Sequence, residues 1–252
     1  MRILSWNVNG LRSIIRKDCL NQIFELEPDV ICFQETKLSD LSIFEKILPE
    51  SYQVYNNLSL RKGQSGVCII TKQKMRVRSD RIGNVRFDTE GRFLNLEFEN
   101  GWSLINLYFP HGKRDRSDIP YKLEASKNLF AYLMKNSLEK TIICTDFNIA
   151  HESIDVARAS QNQRNTMFTV EERNVVDQLL ELGFVDSFRR FTKESGAYTW
   201  WPYGFQARER NVGWRIDYIF TTLDIANQMN DVKIKKEILG SDHCPVIMDI
   251  DM

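Results

Sequence analysis

Residues 93–109 read FLNLEFENGWSLINLYF and limit the folds open to this chain more than any other stretch. Apolar and polar residues alternate on either side of Asn100-Gly101, the pattern of two half-buried strands joined by a tight turn. An Asn-Gly pair favours a type I′ hairpin, because both central residues of that turn need positive φ. Two strands joined this way run antiparallel, so a purely parallel sheet fits poorly. The remaining elements alternate. RILSW (2–6) reads as a strand, 11–27 as a helix closed by Pro28-Asp29, and DVICFQE (29–35) as a strand covered on both faces. A helix over 119–135, the strand TIICT (141–145), a helix near 170–182 and strands at 215–220, 231–237 and 245–250 follow. Together they predict a mixed α/β layered fold. No repeat, low-complexity tract or Pro/Gly-rich linker divides the 252 residues, so one domain spanning 1–252 is expected.

Charge argues against an obvious partner. Lys and Arg number 34, as do Asp and Glu. A nucleic-acid binder usually shows a basic excess, so such a role would need the charges segregated on the surface. The five cysteines (Cys19, Cys32, Cys68, Cys144 and Cys244) are scattered, without a CxxC, and read as buried reduced thiols of a cytosolic protein. MRILSWNVNG lacks the apolar core of a signal peptide, and no run approaches the ~20 apolar residues of a membrane span. A cytoplasmic, membrane-free location is expected.

The chemistry collects at strand ends. Asn7 and Asn9 follow the first strand, Gln34-Glu35 ends the second, and Tyr108 precedes Pro110-His111. Asp146 and Asn148 follow TIICT, and Asp242-His243 precedes the last strand. Each group alone reads first as ordinary turn or strand-end chemistry. Together they make a hard-oxygen donor set suited to magnesium or manganese, whereas zinc would want more imidazole or thiolate. A tyrosine and one of only three histidines beside such a metal suit attack of water on a phosphate ester. No GxxxxGK[ST] or GxSxG motif points to nucleotide-driven work or acyl transfer.

YTWWPYGFQARERNVGWRIDYIF (198–220) interleaves Trp200, Trp201, Tyr203, Phe205 and Trp214 with Arg208, Arg210 and Arg215. Such a mixture stacks on bases or sugars while holding phosphates; alternatively, it is a core strand pair with a basic loop. Lys113 and Arg114 in GKRDR read as a phosphate-facing loop, and RRFTK (189–193) as a solvated helix end.

These motifs, in order SWNVNGLR, ICFQETK, YFP, TDFNIAH, NVGWRIDY and LGSDHCP, closely resemble the exonuclease III family of apurinic/apyrimidinic endonucleases from residue 1 to 252. The resemblance implies a four-layer α/β sandwich, two mixed sheets packed face to face with helices outside, as in deoxyribonucleases. It implies cleavage of double-stranded DNA 5′ to abasic sites, with 3′→5′ exonuclease or 3′-end cleaning besides. By matching motif, Glu35 corresponds to the principal metal ligand, supported by Asn7 and Asp242. Asp146 and Asn148 correspond to the pair that orients and deprotonates water or holds a second Mg²⁺ (or Mn²⁺). His243 matches the phosphate-contacting histidine, Asp217 the carboxylate that orients it, and Tyr108 a phosphate donor. Trp214, Ile216 and Trp200 match the walls of a pocket for a flipped abasic sugar. Asn9, Asn162, Asn165, Lys113, Arg114 and Arg208 are expected to face DNA. A monomer is the default.

Two positions depart from the family: His111 stands where asparagine is usual, and Thr145 where glycine is. A phosphate-donating His111 would lose strength as it deprotonates, so activity is expected to fall more steeply above pH 7 than in His111→Asn. The competing readings are an inositol or lipid phosphatase of the same fold and a non-catalytic DNA-damage binding module.

Overall fold

The structure, a computed structural model, describes residues 1–44, 47–48, 51–136 and 139–251. In chain order the strands are β1 (Arg2–Asn7), β2 (Val30–Gln34), β3 (Gln53–Asn57), β4 (Val67–Thr71), β5 (Arg76–Ser79), β6 (Phe93–Glu97), β7 (Ser103–Tyr108), β8 (Thr141–Asp146), β9 (Phe184–Asp186), β10 (Asp217–Thr222), β11 (Met229–Ile234) and β12 (Val246–Ile250). The helices are α1 (Leu11–Arg16), α2 (Cys19–Phe24), α3 (Val85–Thr89), α4 (Ile119–Lys135), α5 (Ala159–Asn162), α6 (Val170–Glu181), α7 (Ser187–Phe191) and α8 (Leu223–Ala226).

Strand pairing makes two six-stranded sheets, ordered β11-β12-β1-β2-β4-β3 and β5-β6-β7-β8-β10-β9. Among the described residues only β1–β2 and β7–β8 pair in parallel, so both sheets are mixed. Period-2 side-chain alternation gives each sheet two apolar faces. The inner faces bury Ile3, Cys32, Ile69, Leu104, Cys144, Ile219 and Met248 against one another. The outer faces take α1 and α2 on one sheet (Leu11, Ile14, Leu20, Ile23) and α4 and α6 on the other (Ala125, Leu129, Val176, Leu179). The expected four-layer sandwich is therefore what these residues build.

Three local expectations need correction. The helix over 11–27 is broken between α1 and α2, where Asp18 takes φ 55° and its carboxylate accepts from Asn21 Nδ2 at 2.7 Å. Both pieces bury their apolar residues in the same cluster, so hydrophobic spacing runs on through the break and hides it. The hairpin turn is not type I′, because Gly101 (φ 84°) has positive φ and Asn100 does not. Gly101 N–H donates to Phe98 O at 3.0 Å and Phe98 N–H to Trp102 O at 2.9 Å, a three-residue loop in which glycine supplies the left-handed residue. The strand near 215 begins at Asp217, because the N–H groups of Ile216 and Asp217 are both taken by Thr199 Oγ1 at 3.1 Å.

The topology carries the strand-end residues to one rim. Parallel pairing sets Asn7 beside Gln34 and Tyr108 beside Asp146, and antiparallel pairing sets Asp217 opposite Asp146. No helix among the described residues is long and apolar enough to cross a membrane.

Candidate active site

At this rim the carboxylates are close and mostly buried. Asp146 ends β8, Asp217 starts β10, and both are under 3% exposed. Asn7, at the end of β1, donates through Nδ2 to Asp146 Oδ2 at 2.7 Å and to Glu35 Oε2 at 3.1 Å, tying the two sheets together. Asn148 sits at φ 51°, a conformation asparagine tolerates. Its backbone N–H bonds Asp146 Oδ1 at 2.9 Å and its amide bonds Asp146 Oδ2 at 3.2 Å and Phe109 O at 2.9 Å. Beneath it the wholly buried Lys122–Glu172 pair (2.7 Å) gives Asn148 O a further bond from Lys122 Nζ at 2.6 Å.

His243 lies between the acids. Its Nδ1 is 2.8 Å from Asp217 Oδ2, while Nε2 points toward Asp146 Oδ2 at 3.9 Å. Burial disfavours its charge, but Asp217 and then Asp146 outweigh that and lift its pKa to about 10. Burial, then repulsion from Asp217, raises Asp146 to about 7 despite the nearby imidazolium. The site thus pairs a protonated histidine with a carboxylate poised near neutrality. Burial, followed by Glu35, holds the Tyr108 hydroxyl well above its usual range, so it remains a donor. The Arg92 guanidinium covers the Tyr108 ring at 4.5 Å.

Asp146, Asp217 and His243 form an acidic–histidine group able to hold a metal. The protonated histidine and its bond to Asp217 make that trio a poor ligand set by itself. Glu35 and Asp146, bridged by Asn7, supply hard oxygens, and Glu35 already carries a cation, with Lys37 Nζ at 2.9 Å. A hard divalent ion fits this pair of acids.

The structure gives several of the expected site residues partners within the protein. Asn7 turns its amide nitrogen, not its oxygen, to the acids, because Oδ1 accepts the Asn9 N–H at 2.8 Å. Asp242 has both oxygens engaged, by Asn9 Nδ2 at 2.9 Å and Trp200 Nε1 at 3.0 Å. Burial raises its pKa, but the charge of His243 and these two bonds outweigh that and keep it low. The Arg208 guanidinium clamps the carbonyls of Ser241, Lys236 and Ile238 at 2.6–2.9 Å. Arg215 is 1% exposed and paired with Asp155 and Asp186. Ile216 is also 1% exposed, and with Trp214 it packs against Phe168 and Met167. The aromatic–arginine stretch is thus largely core, with Tyr203 and Phe205 exposed on its loop. Asn162 turns back on the carbonyls of Ala157 and Arg158 and accepts from Asn165. Lys113 Nζ is 3.1 Å from Asp118, and Arg114 is exposed without an ion pair among the described residues.

His111 also departs from expectation. Its Nδ1 accepts the Lys113 N–H at 2.9 Å, a role only the unprotonated nitrogen can fill. The residue is exposed at the surface, yet desolvation and then the charge of Lys122 lower its pKa. Both the bond at Nδ1 and the direction of the shift favour the neutral ring. The pH–rate profiles of wild type and His111→Asn should coincide above about pH 6.5 and part only below it. A divergence confined to alkaline pH, read from initial rates over a pH series, would contradict this. The Thr145 hydroxyl is buried without a partner among the described residues.

Comparison with known proteins places this geometry. Residues 4–243 match the endonuclease/exonuclease/phosphatase family. The chain belongs to that family. It is 40% identical to an exodeoxyribonuclease of Bacillus subtilis, covering 100% of both chains. The solved structure of an AP endonuclease from Archaeoglobus fulgidus superposes with a TM-score of 0.87 at 30% identity, over 100% of both chains. A Neisseria 3′ phosphatase bound to a product DNA hairpin gives 0.87 at 25% identity, again over 100% of each.

Lys37, Thr199 and the Lys122–Glu172 pair were not anticipated from sequence. Lys37 stands two residues after Glu35, a spacing that could have flagged it, whereas Lys122 reads like any solvated helix lysine.

Proposed function

We propose that this DNA-repair nuclease hydrolyses the phosphodiester bond 5′ to abasic sites in double-stranded DNA, leaving a 3′-hydroxyl, and also trims or cleans 3′ ends. The observation that carries this reading is the placement of His243, held at Nδ1 by Asp217 with Nε2 turned toward Asp146. An imidazolium donor beside a carboxylate near its pKa suits attack of water on a phosphodiester. Asp146 takes the proton of the attacking water, and Asn148 fixes its carboxylate in line. His243 donates Nε2–H to a phosphoryl oxygen, while Tyr108 donates a second hydrogen bond. Mg²⁺ would be held by Glu35, with Asp242 beyond Asn9, and would neutralise phosphate charge. Trp200 and Trp214 flank the place of the extrahelical sugar, and Arg114, Lys113 and Asn165 meet the backbone. The protein acts as a single domain and a monomer. Its five buried free cysteines suit the cytoplasm.

The test is an end-labelled duplex carrying one abasic-site analogue. A single nick on the 5′ side of the lesion should appear with Mg²⁺, vanish in EDTA and return when Mg²⁺ is restored. Binding without a nick under any divalent metal would favour a damage-binding module. Release of phosphate from inositol lipids without DNA cleavage would favour the phosphatase.

A further inference from the structure

Lys37 is placed as no mere surface lysine would be. Its ammonium lies 2.9 Å from Glu35 Oε1 and 2.5 Å from Asn9 Oδ1, and the same Asn9 amide donates to Asp242 Oδ1 at 2.9 Å. One positive charge thereby bridges the two acids, directly at Glu35 and through Asn9 at Asp242. The backbone is bent to achieve this. Glu35 and Lys37 both take the left-handed region, at φ 53° and 54°. That conformation is unfavourable for either side chain and is held here by Lys37 N–H on Ser65 O (2.8 Å) and Gly10 N–H on Glu35 O (2.8 Å). The Lys37 stem runs beside Gly10, where a Cβ would sit in ordinary contact, 3.6 Å from Lys37 Cδ. The Lys37 side chain is 33% exposed, so it has a solvent path along which to swing away.

We infer that Lys37 is a built-in counter-cation that neutralises Glu35 when no metal is bound and must be displaced when a divalent ion enters. It therefore weakens metal affinity while sparing the metal-free protein an unpaired carboxylate. This rests on the proposed metal site at Glu35.

Isothermal titration of Mn²⁺ into metal-free protein tests it without reference to activity. Lys37→Met should bind Mn²⁺ about three- to tenfold more tightly, in keeping with a partly exposed ion pair. Lys37→Gln should move the same way, covering the case in which the methionine variant fails to fold. Arg12→Met removes an equal charge at the neighbouring Arg12–Asp40 pair and should change affinity less than twofold, separating contact from general field. Unchanged or weaker binding in both Lys37 variants overturns the inference, and weaker binding would make Lys37 a positioning residue for Glu35. An Arg12→Met gain equal to the Lys37 gain also overturns it. Glu35→Gln should bind at least tenfold more weakly; if it matches wild type, the metal site itself is misplaced.

Discussion

Asp146→Asn should lower the rate of cleavage by about 10⁴-fold, the upper end of what a positioned acid–base group contributes, while leaving affinity for lesion-bearing duplex unchanged or tighter. The two halves of that result have one origin. Asp146 is buried at the junction of both sheets, held by Asn7, Asn148 and the nearby His243, and burial raises its pKa to about 7. Such a carboxylate can accept a proton, a capacity that asparagine lacks. The same carboxylate faces the place proposed for a phosphate, so its removal relieves repulsion. Single-turnover rates and equilibrium binding on one duplex separate the effects. Weaker binding together with a modest rate loss would mean that Asp146 holds the substrate and the proton goes elsewhere. Stability gives an independent check. A folded pKa raised above the ordinary 3.8 contributes stability that is full below that value and lost as pH rises through about 7. The metal-free variant should therefore unfold at higher urea concentration than wild type at pH 8.

The sandwich was legible because each layer leaves a mark in its own strand or helix. The unbroken apolar run of β2 required cover on both faces and has it, all five residues being buried. The Asn-Gly pair forced an antiparallel hairpin even though its turn type differs. By contrast β3 (QVYNN) and β5 (RVRS) lie at sheet edges, where half-exposed polar residues erase the alternation that periodicity relies on. Among site residues, chemical type was legible and orientation was not. Sequence could bring Asn7 and Asp242 to the rim, but only the hydrogen-bond partners show Asn7 presenting its nitrogen and Asp242 with both oxygens engaged. The partners of Arg208 and Arg215 were hidden for the same reason. An arginine in an aromatic stretch looks like a phosphate ligand until three carbonyls, or two buried carboxylates, account for it.

Orientation also governs the second large effect. Asp217→Asn should leave activity only moderately reduced at pH 6.5 but cost about 10²-fold or more by pH 9, a loss of the size a misprotonated acid–base group produces. In wild type, burial alone would lower the pKa of His243, and Asp217 is the largest influence opposing it, lifting the value to about 10. Asparagine keeps the size of the carboxyl and can still bond Nδ1, but it removes the charge. Burial then acts with less opposition, and the histidine loses its proton at lower pH. The sign follows from linkage: stability from a raised histidine pKa is full below the ordinary 6.5 and lost as pH rises through about 10. Removing Asp217 therefore moves both the loss of stability and the loss of the Nε2–H donor to lower pH. Rates measured on the same duplex from pH 6 to pH 9.5 should show an alkaline limb in the variant that wild type lacks over this range. Parallel profiles, with one constant loss at every pH, would show that Asp217 only aims the ring and that the charge on His243 does not enter the reaction.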